Sequence, residues 1–141
     1  MRKALGLGMA VLALTACGSG TSQEADLRKA CEVIANDPEG KEAIADMKAN
    51  TDSFCDCFNT NTLAMSDEDQ IKVRAALAYI AEQSEETGQE VEDIALAIVR
   101  QGMLSPDDEA IQNVLDGVPL VGRMIDDIEE DFEDGSCQRE A

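Results

Sequence analysis

Residues 54–58 read Phe54-Cys55-Asp56-Cys57-Phe58. Two cysteines one residue apart, set between two of the chain's three phenylalanines, form either a redox or metal site or two anchor points for structural disulfides. Local conformation separates these readings. On a helix each residue advances about 100°, so Cys55 and Cys57 stand about 200° apart around the axis. They point to opposite flanks and cannot bond each other without unwinding the helix. Each then needs its own distant partner, and the chain must fold so that two remote cysteines reach opposite sides of one helix.

The surrounding sequence is punctuated as helices throughout. Thr21 or Ser22 precedes a segment with Leu27, Cys31 and Ile34 on one face, at spacings of four and three. Asp37-Pro38-Glu39 reads as an N-cap, a proline at the first helical position and an acid in the first turn. The run it opens carries Ile44, Met47, Phe54 and Phe58, with Asn50-Thr51-Asp52 as a point of interruption. Ser66-Asp67-Glu68-Asp69 starts the next helix, its acids complementing the positive end of the helix dipole. That helix groups Val73, Ala76, Leu77 and Ile80 and stops near Thr87-Gly88. Val91, Ile94, Ala95 and Ile98 form a further stripe ending at Gly102. Ser105-Pro106-Asp107-Asp108 opens a short helix with Ile111, Val114 and Leu115, which Gly117 ends. Pro119 starts the last one, with Val121, Met124, Ile125, Ile128 and Phe132, before Gly135. No segment shows strand alternation. The expected fold is all-α, a small bundle of five to six short helices with two disulfides. Its core is poor in aromatics and rich in alanine, so covalent staples matter to its stability.

The N-terminus supplies the compartment. Arg2 and Lys3 precede the uncharged apolar stretch Ala4–Leu14, which fits a secretory signal and falls short of the roughly 20 residues of a spanning helix. Leu14-Thr15-Ala16-Cys17 then resembles the lipobox of bacterial lipoprotein precursors: an aliphatic residue, two small residues and a cysteine. The resemblance covers residues 1–17. It implies that the signal, 1–16, is removed and that Cys17 carries a diacylglyceryl thioether and an acylated N-terminus. Residues 17–23 then form the lipidated cysteine and a flexible Gly/Ser tether, and 24–141 the helical domain. The resemblance further implies a cell-envelope protein anchored to the membrane through lipid on Cys17. In a cell with two membranes, Gly18 after that cysteine matches outer-membrane placement, facing the periplasm.

With Cys17 lipidated, Cys31, Cys55, Cys57 and Cys137 remain. An even count in an exported domain of this size reads as a disulfide framework. Given the helical geometry at 55–57, two pairings stay open: 31–55 with 57–137, or 31–57 with 55–137. Either closes one loop of roughly 25 residues and one of roughly 80, stabilising by about 3 to 4.5 kcal/mol each in the chain-entropy treatment.

Composition narrows the function classes. The 141 residues carry a formal charge of −19, and removing the signal takes both Arg2 and Lys3 and no acid, leaving −21. Phosphate contacts need clustered Lys and Arg, so nucleic acid is excluded as a partner. The same charge opposes lying flat on anionic lipid. Histidine is absent, which removes the commonest general base and metal ligand together with every Ser-His-Asp, Cys-His and His-based zinc arrangement. No catalytic constellation is left, and no cofactor or metal is expected. The chain reads as a non-catalytic binding or assembly module with an acidic helical surface and a protein partner in the envelope.

Other readings compete with it. The Cys55-Asp56-Cys57 pair is the material for a periplasmic thiol-disulfide redox protein, or, with Met65, for a soft Cu(I) site. Against the first, Asp56 raises a neighbouring thiol pKa, and no basic residue is adjacent in sequence. Against the second, the pair supplies two ligands and Met65 falls in a turn. The acidic run 126–134 fails the Ca²⁺-loop pattern, with Glu130 and Phe132 at the positions five and three before Gly135. Val118–Gly122 is the most apolar connection, buried between two helices or free as a docking knob.

Overall fold

The computed structural model describes residues 19–137, with side chains placed from residue 22. The signal, the lipobox and Cys17 lie outside the described residues. The chain forms six helices: α1 (Ser19–Ala35), α2 (Pro38–Asp46), α3 (Thr51–Ala64), α4 (Asp67–Thr87), α5 (Val91–Leu104) and α6 (Glu109–Glu133). No strand occurs among the described residues. The all-α bundle with two disulfides follows the sequence pattern.

The helix starts obey local chemistry. Asp37 caps α2 through Glu39 N–H, and Pro38 occupies the first turn, where its missing donor costs nothing. Asn50 and Ser53 form a reciprocal capping box on α3. Ser66 accepts from Asp69 N–H at the start of α4, and Asp108 accepts from Ala110 and Ile111 N–H at the start of α6. Gly88 ends α4 in the left-handed conformation, with φ 67°.

Two expectations change. Gly117 and Pro119 do not split the last segment, and α6 runs unbroken through both. A Cβ at position 117 would stand 2.1 Å from the Lys72 carbonyl oxygen and 2.8 Å from the Ala76 methyl. The glycine therefore serves close packing of α6 on α4 rather than a stop. Pro119 lies on the exposed side, while Val114, Val121, Met124 and Ile128 stay on one buried stripe across it. That continuous stripe holds together what the proline alone would break. The apolar segment Val118–Gly122 is accordingly helix, with Val121 buried and Val118 and Leu120 packed at the core edge. The second difference is at the tether. Residues 19–23 are the first turn of α1, and Arg74 Nη1 of α4 donates to Gln23 Oε1 at 2.9 Å, fixing that turn to the bundle.

The interior divides in two. The larger cluster joins α1, α2, α3, α4 and the C-terminal half of α6, around Phe54, Phe58, Leu77, Met124, Ile128 and both disulfides. The smaller is Ile80, Ile94, Ile98, Ile111 and Val114, where α5 meets α4 and α6.

Candidate functional site

Helix α3 carries both cysteines of the C-x-C segment and turns them apart. Cys55 is fully buried and bonded to Cys31 of α1, with Cα atoms 5.8 Å apart. Cys57 is bonded to Cys137, with Cα atoms 5.6 Å apart. Of the two pairings left open by the sequence, the structure has 31–55 with 57–137. Their partners differ in kind: Cys31 sits on a helix packed against α3, whereas Cys137 is delivered by a turn. Asp134 ends α6, Gly135 takes φ 78°, and Gly135 and Ser136 N–H donate to the Phe132 and Asp131 carbonyls at 3.3 and 2.8 Å. This is a Schellman closure, and it reverses the chain so that the next residue reaches Cys57.

Two polar groupings accompany the disulfides. On the α1 side, Arg28 Nε pairs with Glu32 at 2.9 Å, Nη2 with Asp52 at 3.0 Å, and Nη1 with Asp56. The hydrogen bond that Arg28 donates to Asp56 holds its guanidinium above its ordinary pKa, against the opposing effect of burial, with help from Glu32. Arg28 is one turn before Cys31 and Asp56 follows Cys55, so the Cys31–Cys55 bond itself brings them together. Sequence reasoning found no basic residue beside Asp56. The i, i+3 placement of Arg28 before Cys31 was the signal that could have supplied it.

On the α6 side, Asn61 Nδ2 donates to Asp131 Oδ2 at 3.1 Å, and Cys137 Sγ lies 3.6 Å from the same oxygen. Cys57, Asp131 and Cys137 place one sulfur or oxygen each within 4.8 Å of one another. With the two sulfurs bonded to each other, neither is a thiolate, which is the form that binds metal or attacks a disulfide. Met65 does not join them. It caps the far end of α3, eight residues and about 12 Å of helix axis beyond Cys57. Asp131 apart, the acids of 126–134 line the outer face of α6, away from Ile128 and Phe132.

An apolar cavity of about 50 Å³ lies between α1, α2, α3, α4 and α6, lined in part by Cys31, Ile44, Phe54, Phe58, Leu77 and Val121. That is far below the ~300 Å³ at which small-molecule sites begin. It is a packing gap. Comparison with family models, curated proteins and solved structures found no match for this chain.

Proposed function

We propose that this protein is a lipid-anchored module of the bacterial cell envelope, non-catalytic, which presents an acidic helical surface to a protein partner near the membrane. The observation that carries the reading is the division of the five cysteines. Four form two disulfides, which persist in oxidising compartments, and the fifth, Cys17, ends the lipobox-like Leu14-Thr15-Ala16-Cys17. Each cysteine thus has a use under export and lipidation. The lipid contributes location and effective concentration, since each buried CH₂ adds about 0.8 kcal/mol of membrane affinity. The bundle contributes the surface.

Membrane fractionation and intact mass test this together. In a bacterial host, the native chain fractionates with membranes, loses residues 1–16 and gains the mass of a diacylglyceryl group and an acyl chain on Cys17. Cys17→Ala releases the protein to the soluble periplasmic fraction, still without alkylatable thiols after denaturation. Membrane retention of Cys17→Ala, or an unlipidated native chain, overturns the anchor. Two thiols reactive in the native protein would instead favour the redox reading.

A further inference from the structure

Helix α5 is apolar on two faces. Ile94, Ile98 and Gly102 are buried against α4 and α6. On the other side Leu96 is 58 % exposed, Val99 43 %, Met103 76 % and Leu104 79 %. From Ile94 to Leu104 the only charged side chain is Arg100, in a protein with 30 acidic residues. A helix that is apolar on every side is ordinarily buried, and exposed apolar patches mark contact surfaces. Arg100 stands within this stripe and makes no ion pair with any described residue.

The stripe has a period. Glu92, Leu96, Val99 and Met103 are spaced four, three and four, the seam of a packed helix pair. Asp93 and Arg100 flank it, and all six residues share a sector of about 120°. Acid stands at one end and base past the centre, so the surface is complementary to itself when reversed. An antiparallel pairing about a two-fold axis midway between Leu96 and Val99 sets those two residues against each other across the copies and brings Arg100 of each copy within one helical turn of Glu92 and Asp93 of the other. We propose that this face of α5 is a homodimer interface, its occupant a second copy of the chain joined by Leu96, Val99 and Met103 and registered by Arg100.

The charge at the acidic end supports this occupant. Repulsion from Glu92, then some desolvation of this exposed group, then Glu90 and Asp37 push the Glu39 carboxyl above the ordinary glutamate pKa. None of these four carboxylates is ion-paired among the described residues, and a second copy brings a cation. Such an isologous contact closes at two subunits. The overall negative charge opposes it at long range, so added salt strengthens the dimer by screening. An anionic membrane docked on the same face would weaken with salt instead.

The test uses the full chain in cells, in two differently tagged versions, with a photo-crosslinking residue at 96, at 103, or at the exposed but off-face Ile71. Positions 96 and 103 give an adduct carrying both tags, and 71 does not. Arg100→Glu lowers its yield roughly tenfold, the scale of one lost charge-assisted contact. Arg100→Glu combined with Glu92→Arg and Asp93→Arg restores it, which a folding defect would not permit. Adducts from 96 to another protein or to lipid, equal yield from 71, or indifference to Arg100→Glu overturn the proposal.

Discussion

The two halves of the interior hold themselves together by different means. Around α3, two aromatic rings, two disulfides and the Arg28 carboxylate cluster converge. Around α5, five aliphatic side chains do the work with no crosslink, and much apolar surface is left facing outward. In the first region the polar groups are spent locally, on caps, pairs and turns. In the second, a base and an apolar stripe are left without local use. The difference teaches where stability is invested and where a surface is kept available. A bundle of this size gains enough from covalent closure on one side to carry a loosely covered helix on the other.

The largest effect that could break this contrast is removal of the inner staple. Cys31→Ser with Cys55→Ser opens a loop of sequence separation 24 and leaves two hydroxyls in a fully buried position. The crosslink alone is worth about 3.5 kcal/mol in the chain-entropy treatment. Chemical denaturation should show a loss of at least that size, with α1 and α3 protected less in hydrogen exchange and α5 changed little until global unfolding. If α5 loses protection first, the two regions are not separately stabilised.

A finer comparison uses two fully buried isoleucines. Ile128 sits in the stapled cluster and Ile98 in the smaller one. Truncation to alanine costs about 2 to 5 kcal/mol, and the cost falls where the surroundings can collapse into the gap. Helix α5 is tied down by packing alone, so Ile98→Ala should fall near the bottom of that range and Ile128→Ala near the top. Equilibrium denaturation of the two variants checks the order, and the reverse order would place the rigid half at α5.

The sequence disclosed the stapled half better than the other. Helix period, caps and cysteine parity gave the helical bundle and both crosslinked positions on α3, because each signal is local or a matter of counting. Pairing was not legible, since Cys31 and Cys137 reach α3 by tertiary packing and a terminal turn. Gly117 and Pro119 misled because a helix stop and a close helix crossing use the same residue. Only the carbonyl of Lys72 on another helix distinguishes them. On α5 the buried stripe was read and the second one was not. A helix pattern announces how many apolar faces it has, but not which of them its own fold will cover.

The smallest effect tests where the two regions touch, at the acidic end of α5. Glu39 lies in the first turn of α2, where the helix dipole favours an anion, yet its carboxyl is pushed up, chiefly by Glu92. The folded state therefore binds this proton more tightly than the unfolded chain does. It follows that the group's contribution to stability grows as pH falls through the interval between the ordinary glutamate value and the raised one. Above that interval the repulsion is fully present. Glu39→Gln should thus raise the melting temperature slightly at neutral pH. The advantage should vanish below pH ~4, where the wild-type carboxyl is protonated too. An equal gain at both pH values would mean that the change acts through something other than charge. The pair of melts also bears on α5, because Arg100 of a second copy placed beside Glu92 relieves the same repulsion. The benefit of Glu39→Gln should then shrink as protein concentration rises, and constancy across concentration would leave α5 uncovered in solution.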